Sequence, residues 1–385
     1  MIFQSLGSNY SYRYAWRHLF ATGSTDSSTK LSTQLAAAYG GEVFLYARGR
    51  HALAAALAAT GSTAVALNGI TCSVVPEAAL AAGSTLHFID IDEKTGNMSL
   101  QKLEHTLKDN SHIKAVVIQN TFGNMIDIAK VEQLAKKYTF SIIEDLAHSV
   151  GQTYADGRLA GTVGDAVMLS FGRDKIIDAV NGGALVIRNS ALSSNITSPK
   201  LLPSRMQQFR DRIYPLLTCV IRSTYAVGLG KLILMTALKT KLIPRSADGG
   251  IHPDEILPHW QAKLIHQQLG TLAENMTHRQ AIMSIYADIL ESKLINSEGS
   301  IRGVILAEQR EELLASLANK GFQLQDTWYD TPIGPTRKYH QFHYPEKQNS
   351  HAVAFTDTVI NLPTHIYISD GVAKQIAQHI KEFSS

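Results

Sequence analysis

The chain has little cysteine and no strong excess of charge of either sign. Its two cysteines, Cys72 and Cys219, are too few for a disulfide framework, so we expect a reducing compartment, the cytoplasm. A formal net charge of +3 over 385 residues, without a long Lys/Arg run, argues against nucleic acid as a partner. Residues 1–20 show no basic region followed by an apolar core, so we expect no secretory signal.

Three catalytic signatures are also missing. The pattern Gly-x-x-x-x-Gly-Lys-Ser/Thr does not occur, which argues against a P-loop nucleotide site. There is no His/Cys cluster at metal-ligand spacing and no Gly-x-Ser-x-Gly elbow, so we predict no metal and no serine hydrolase chemistry. What remains is a globular composition, 45% hydrophobic and 18% charged, in a chain long enough for two domains.

The most apolar stretch of the chain covers residues 213–238. Pro215 near its start and the charges of Arg222 and Lys231 interrupt it, whereas a spanning helix needs about 20 apolar residues with few charges. We therefore expect this stretch to pack against the protein or a dimer partner. Peripheral contact with a membrane is the alternative.

Short apolar runs alternate with helical patterns between residues 41 and 188, which predicts an α/β domain around a mainly parallel sheet. The predicted strands are 43–46, 64–67, 86–91, 115–119, 141–144, 167–170 and 184–187, with helices at 50–59, 74–82, 100–107 and 128–137. Three parts are predicted: a large α/β domain over 1–190, an apolar helical insertion over 191–253, and a small α+β domain over 254–385. One long helix is expected over 259–293.

Residues 142–187 carry the strongest functional signal. Asp145 ends an apolar run, at the strand end where open α/β sheets bind ligands, and Lys175 follows in a loop before the next apolar run. An acid that keeps a pyridine nitrogen protonated and a lysine that bonds to an aldehyde are what a pyridoxal phosphate (PLP) enzyme needs. The ordinary alternatives are a helix N-cap for Asp145 and a solvated surface charge for Lys175. Glu144 should point to the other face of the strand.

Four further positions fit a PLP site. Gly49 and Arg50 open a helix directly after a strand, where free backbone N–H groups and a glycine allow a phosphate to approach closely. Ser170 supplies a hydroxyl that could bind the same phosphate. His148, three residues after Asp145, could lie against the cofactor ring or be a satisfied core histidine.

These motifs resemble the DegT/DnrJ/EryC1/StrS family of sugar aminotransferases, within the aspartate aminotransferase superfamily. The family's Glu-Asp-x-Ala-His/Gln segment is matched by residues 144–148, its Ser-Phe-x-x-x-Lys by 170–175, and its glycine pair by 182–183. The resemblance implies the three-layer α/β sandwich of PLP-dependent transferases, with a mainly parallel sheet and a smaller α+β C-terminal domain.

The resemblance also implies an activity and roles for the residues. Such enzymes move an amino group from L-glutamate to a ketosugar attached to a nucleotide, for surface polysaccharides or related glycoconjugates. They are homodimers with active sites at the subunit interface. Lys175 would bind the cofactor covalently and carry a proton, and Asp145 would hold the pyridinium. His148 would flank the ring, and Ser170 with the backbone at 49–50 would bind the phosphate.

Departures from the family pattern keep other hypotheses open. Arg48 and Arg50 replace the hydroxyl residues beside the first glycine, and Cys72 stands where an aromatic often stacks on the cofactor. A PLP-dependent sugar dehydratase is one alternative, although that branch replaces the lysine with histidine and Lys175 is present. A non-catalytic, membrane-associated protein with the same fold is another.

Overall fold

The computed structural model describes residues 1–245, 247–296 and 299–383. Its strands are β1 Ile2–Phe3, β2 Glu42–Tyr46, β3 Ala64–Asn68, β4 Thr71–Cys72, β5 Thr85–Ile89, β6 Ile113–Gln119, β7 Ser141–Asp145, β8 Ala166–Ser170, β9 Gly183–Ile187, β10 Arg302–Leu306, β11 Phe322–Gln323, β12 Ile333–Gly334 and β13 Val359–Pro363. Its α-helices are α1 Tyr12–Leu19, α2 Thr25–Tyr39, α3 Gly49–Ala59, α4 Val74–Ala81, α5 Leu100–Asp109, α6 Ile128–Tyr138, α7 Ser190–Ser193, α8 Arg205–Ser223, α9 Leu229–Lys239, α10 His259–Leu269, α11 Leu272–Leu290, α12 Arg310–Asn319, α13 Thr336–Tyr339, α14 Ser350–Thr358 and α15 Asp370–Phe383. Short 3-10 turns cover Thr121–Gly123, Glu291–Lys293, His340–Phe342 and Glu346–Gln348.

A seven-stranded sheet in the order β2-β9-β8-β7-β6-β3-β5 forms the centre of the fold. Strands β5, β3, β6, β7 and β8 run parallel to one another, and β9 is antiparallel to both of its neighbours, β8 and β2. This confirms the mainly parallel α/β sheet. Each strand and helix predicted between residues 43 and 187 is present, with ends that agree to within two residues.

Helices cover both faces of this sheet and make three layers. On one face, α2, α6 and α10 pack through an apolar cluster that includes Leu31, Val131 and Ile265. On the other face, α3 and α4 pack through a cluster that includes Leu57 and Val75. A parallel strand covered on both sides is apolar along its whole length, which is why a run such as β3 could be predicted from the sequence.

The single helix predicted over 259–293 is wrong. The structure has two helices there, α10 and α11, which are separated at Gly270 and Thr271. Glycine is a poor helix former, and the two helices serve different cores. Helix α10 packs against the large sheet, whereas α11 packs against α15. The predicted division of the chain at residues 190 and 253 stays a prediction.

The C-terminal residues have the predicted α+β character. Strand β10 pairs antiparallel with β13, and α11, α12 and α15 surround this pair in an apolar cluster of their own. Strand β12 pairs in parallel with β4, through Ile333 opposite Thr71. This pairing ties the segment that precedes β12 to the large domain.

The apolar stretch 213–238 belongs to two helices that pack against each other, α8 and α9. Pro215 lies inside α8, which also packs along α1. Among the helices that the structure describes, none is long and apolar enough to cross a membrane.

Candidate active site

The central sheet brings the carboxyl ends of four strands to one edge. Strands β6, β7 and β8 are parallel neighbours, so their last residues, Gln119, Asp145 and Ser170, share that edge. Strand β2 ends at the same edge, because Tyr46 and Ser170 both pair with Gly183 of β9. The segments that follow these strands enclose a cavity of about 280 Å³. Ligands bind at this position in open α/β sheets.

The cavity brings all of the predicted site residues together. Its lining includes Gly49, Arg50, Asp145, His148, Ser170 and Lys175. They come from the first turn of α3, the ends of β7 and β8, and the loops after those two strands. Their roles toward a cofactor stay predictions.

Asp145 is buried at the cavity wall. Its Oδ1 accepts a hydrogen bond from the backbone N–H of Ala147 at 2.9 Å, and its Oδ2 accepts one from Nε2 of Gln119 at 3.3 Å. Burial raises the pKa of Asp145, and the amide of Ala147 and the charge of Lys175 oppose that rise. A turn follows β7 rather than a regular helix, so the N-cap alternative does not describe this residue.

Glu144 points away from the cavity, as the alternation of side chains along a strand predicts. Its fully buried carboxylate accepts hydrogen bonds from the backbone N–H groups of Gly161, Val163 and Gly164 at 2.6–2.8 Å. The hydroxyl of Tyr154 donates another at 2.7 Å. Glu144 therefore organises the turn that leads into β8.

Lys175 is half-buried in the cavity wall, with its Nζ 4.3 Å from the ring centroid of Trp328. Burial lowers the pKa of Lys175 to about 8, while the neighbouring Cys72 and Asp145 act in the opposite direction. A lysine in this environment is not a solvated surface charge. At neutral pH an appreciable fraction of its amine is unprotonated, which is the form that acts as a nucleophile.

Asp178 holds the loop that carries Lys175, a role that no sequence pattern singled out. Its carboxylate accepts hydrogen bonds from the backbone N–H of Asp174 at 2.8 Å and from the hydroxyl of Tyr10. The side-chain amide of Asn9 donates to the carbonyl oxygen of Lys175 at 3.1 Å. The N-terminal segment thus clamps the lysine loop. The only signal in the sequence is an aspartate three residues after the lysine, which is too common to interpret.

His148 lies in an aromatic stack. Its ring is nearly parallel to the indole of Trp328, with 5.0 Å between centroids and 10° between planes. Its Nδ1 accepts a hydrogen bond from the backbone N–H of Phe122 at 3.1 Å. Burial, helped by the positive charges of Lys175 and Arg302, lowers the pKa of His148 well below its usual value. The ring is therefore neutral, with its proton on Nε2.

Trp328 lines the cavity, and no sequence pattern singled it out either. It lies in the segment between β11 and β12, and the guanidinium carbon of Arg302 sits 3.6 Å from its ring centroid. Cys72, at the position where the family pattern led us to look for an aromatic, lines the same cavity. A single tryptophan in a loop carries no sequence signal, because only the tertiary fold brings it to His148.

The start of α3 packs closely against the end of β8. A Cβ added to Gly49 would lie 2.9 Å from Cβ and 3.0 Å from Oγ of Ser170, so this position requires glycine. The Nη1 atoms of Arg48 and Arg50 donate to carbonyl oxygens within residues 247–249 at 3.1–3.4 Å. Burial and the nearby charge of Arg48 lower the pKa of Arg50 to about 10, so it stays cationic at neutral pH.

The cavity therefore combines two arginines and a helix start with a buried carboxylate, a lysine and an aromatic stack. These groups suit a ligand with an anionic group, a basic ring nitrogen and an electrophilic carbon. In the part of the chain that the structure describes, no three His, Cys, Asp or Glu side chains are grouped so as to hold a metal ion.

The sequence matches a family model and several known proteins. Residues 25–222 match the model of the DegT/DnrJ/EryC1/StrS aminotransferase family. The UDP-4-amino-4,6-dideoxy-N-acetyl-beta-L-altrosamine transaminase of Campylobacter jejuni is 37% identical over 136 residues, 35% of this chain and 35% of that protein. GDP-perosamine synthase of Escherichia coli O157:H7 is 26% identical over 309 residues, 79% of this chain and 74% of that protein. The chain thus matches about a third of the length of the Campylobacter relative.

Solved structures share the fold. Helicobacter pylori PseC, an aminotransferase involved in the biosynthesis of pseudoaminic acid, superposes with a TM-score of 0.71 at 19% identity, over 97% of this chain and 98% of that one. A DegT DnrJ EryC1 StrS aminotransferase from Brucella abortus gives a TM-score of 0.70 at 20% identity, over 93% and 90%. These likenesses confirm the predicted fold class. Because the family model covers more than half of its residues, the chain belongs to the DegT/DnrJ/EryC1/StrS aminotransferase family.

Proposed function

We propose that the protein is a PLP-dependent aminotransferase that moves an amino group from L-glutamate to a nucleotide-linked ketosugar, for a surface polysaccharide or related glycoconjugate. The observation that carries the proposal is the presence of Lys175 and Asp145 in one buried cavity at the carboxyl edge of the sheet. Family membership supports it, as do the sugar transaminase and perosamine synthase among the relatives.

The residues at the start of α3 fit the phosphate of PLP. Gly49 leaves room that a side chain would fill, beside the hydroxyl of Ser170. The first N–H groups of a helix lack partners within the helix and attract anions. Arg48 and Arg50 add positive charge where the family pattern has hydroxyl residues.

The remaining lining residues fit the ring of PLP. The buried carboxylate of Asp145 would pair with the ring nitrogen, which supplies the charge partner that a buried acid requires. His148 is neutral and presents a planar surface, and Trp328 presents a second one beside it.

The chemistry is divided between the cofactor and the chain. When bound, PLP supplies an electron sink that stabilises negative charge on the substrate carbon that carries the nitrogen. Asp145 keeps that sink effective by holding a proton on the ring nitrogen. Lys175 would hold the cofactor through its Nζ, and its free amine would take and return a proton at the substrate carbon that carries the nitrogen. Its depressed pKa of about 8 suits both tasks near neutral pH.

The proposal extends to assembly and location. A homodimer with active sites at the subunit interface follows from the family resemblance. The free cysteines Cys72 and Cys219 fit a cytoplasmic protein, and the apolar helices of 213–238 favour peripheral contact with the inner face of the membrane.

An absorbance spectrum tests the proposal directly. Purified protein mixed with PLP should show the visible band of lysine-bound PLP, and L-glutamate should remove it. Lys175→Ala should show no such band, whereas Lys320→Ala, which changes an exposed lysine at the end of α12, should behave like the unaltered protein. If the unaltered protein gives no band, the aminotransferase proposal fails and a non-catalytic role replaces it.

A further inference from the structure

We propose that residues 200–245, here called the docking segment, bind the surface of a membrane that contains acidic phospholipids. The segment includes helices α8 and α9 and the stretches on either side of them. This inference rests on one part of the proposed function, the peripheral contact with a membrane. It names the protein surface and the lipid charge that would produce that contact.

The charge of the chain is concentrated in the docking segment. Residues 200–245 hold nine lysines and arginines and a single acid, Asp211, a net charge of +8 in a chain whose total is +3. The rest of the chain is therefore acidic, with a net charge of −5. Asp211 is buried and accepts hydrogen bonds from Asn181 and Gln207, both at 2.7 Å, so no acid of the segment lies exposed beside its surface cations.

Most of these cations are exposed. The exposed set includes Lys200, Arg205, Lys231, Lys239 and Lys241. Within residues 1–245, 247–296 and 299–383, none of these five side chains has a carboxylate oxygen within the 4.0 Å that defines an ion pair. Some exposed lysines elsewhere do pair with an acid, as Lys137 does with Glu104 at 2.8 Å, so what sets the docking segment apart is the concentration of its cations. Unpaired cations on one segment form a surface that attracts anions.

Helix α9 exposes an apolar stripe within this basic segment. Leu229, Leu232 and Met235 are 50%, 61% and 69% exposed, and their spacing of three residues places them on one side of the helix. Val227, in the turn before the helix, is 80% exposed. The opposite side packs into the protein through Ala237. Apolar residues on the outer side of a helix that also carries lysines are typical of helices that lie in a membrane interface.

The combination of cations and apolar side chains favours an acidic membrane over other partners. A second copy of the chain would bring two such cation-rich surfaces together, and like charges in an interface oppose association. A nucleic acid would attract the cations, but its phosphate backbone offers Leu232 and Met235 no apolar region. An acidic bilayer provides both the negative surface and the acyl layer below it.

Vesicle sedimentation tests the inference. Full-length protein should sediment with vesicles of phosphatidylcholine and phosphatidylglycerol, and much less with phosphatidylcholine alone, and salt should release it. The variant Lys231→Glu/Lys239→Glu should lower the binding constant at least about tenfold, because each lysine near an anionic surface contributes to binding. Leu232→Ser/Met235→Ser should also weaken binding at least about threefold, through lost apolar burial.

Matched variants outside the segment serve as controls. Lys320→Glu/Lys374→Glu reverses two exposed lysines of the C-terminal part, and Leu80→Ser changes a leucine that is 51% exposed at α4. All three substitutions should leave vesicle binding unchanged. Equal binding to neutral and acidic vesicles would overturn the inference, as would unchanged binding by the docking-segment variants.

Two further readouts keep the alternatives apart. If the docking-segment variants instead dissociate an oligomer in solution, this surface belongs to a second copy and the inference fails. The PLP and L-glutamate spectrum of the same variants should match that of the unaltered protein. A failed vesicle test with a normal spectrum leaves the aminotransferase proposal standing, and vesicle binding by a protein without the PLP band leaves only the docking surface.

Discussion

The strand-edge cavity and the docking segment place their charges in opposite ways. In the cavity, Arg50 donates to carbonyl oxygens of residues 247–249. The two carboxylate oxygens of Asp145 each accept one hydrogen bond, from the backbone of Ala147 and the side chain of Gln119. In the docking segment, lysines such as Lys231 and Lys239 project into solvent among exposed apolar side chains. Buried charges that are held in place can act on one bound molecule, whereas exposed charges beside apolar side chains suit the recognition of a surface.

Removal of Lys175 should give the largest effect and the sharpest contrast between the two regions. Lys175→Ala should lower the rate of glutamate-dependent amino transfer at least about a thousandfold, because the chain loses both its attachment for PLP and its proton carrier. Lys239→Ala, in the docking segment, should leave this rate unchanged. Near-normal turnover by Lys175→Ala would mean that amino transfer does not take place in this cavity.

The two adjacent carboxylates of β7 are expected to have different roles, Asp145 in activity and Glu144 in stability. Asp145→Asn should lower kcat about a hundredfold with the fold intact, because the ring nitrogen loses its negative partner. Glu144→Gln should instead lower the free energy of unfolding by about 1–3 kcal/mol, since buried N–H groups lose a charged acceptor. Both variants need kcat and denaturant unfolding measured together. A near-normal rate for Asp145→Asn would contradict its assigned role.

The pKa of Lys175 predicts how the cofactor-free protein responds to pH. Reaction of Lys175 with a small amine-directed reagent, followed by peptide mass spectrometry, should rise with pH through a midpoint of about 8. Asp145→Asn should move that midpoint down, because Asp145 stabilises the protonated amine. An upward shift would contradict this electrostatic pairing.

The lowered pKa of Lys175 also makes the stability of the fold depend on pH. The pKa of Lys175 is lowered on folding, so the unfolded chain binds the proton more tightly and a charged Lys175 disfavours the folded state. Its contribution to the free energy of unfolding should therefore rise as pH increases from about 8 toward the ordinary lysine value of about 10.4.

Close packing at the start of α3 predicts a moderate effect on cofactor affinity. Gly49→Ala would place a Cβ against the side chain of Ser170, so the dissociation constant for PLP should rise about tenfold. Gly371→Ala is the matched control, because a Cβ at Gly371 meets nothing within 4 Å. A titration followed by PLP absorbance measures the dissociation constants of both variants. Equal constants would mean that the phosphate of PLP does not bind at this helix start.

The smallest effect is expected at the clamp on the lysine loop. Tyr10→Phe removes one of the donors to Asp178, and the loss of a single hydrogen bond is worth about 1 kcal/mol. The expected result is a kcat lowered severalfold with the PLP band still present. Tyr12→Phe removes an exposed hydroxyl whose one hydrogen bond among the described residues is with Ser223, and it should change nothing measurable. If both variants behave alike, the N-terminal segment does not position Lys175.

Local patterns in the chain were enough to predict the strands of the central sheet and six of the residues that line the cavity. Strands buried on both faces are continuous apolar runs, and the acid, serine and lysine follow such runs at the ends where parallel strands bind ligands. Helices α5 and α6 have the 3.6-residue period of a half-buried surface, whereas α3 is rich in alanine and leucine and is buried almost all round. Each of these signals lies within a few residues of sequence, so no tertiary information was needed.

Contacts between distant parts of the chain were decided only by the tertiary structure. Trp328 reaches His148 across 180 residues of sequence, and Tyr10 reaches Asp178 across 168. The carbonyl oxygens of 247–249 that meet Arg48 and Arg50 are likewise remote from them. Gly270 marks the break between α10 and α11 locally, but only the packing of the two helices against different cores shows that the chain ends one helix there. Such contacts depend on how completed elements pack, and no local pattern in the sequence records that packing.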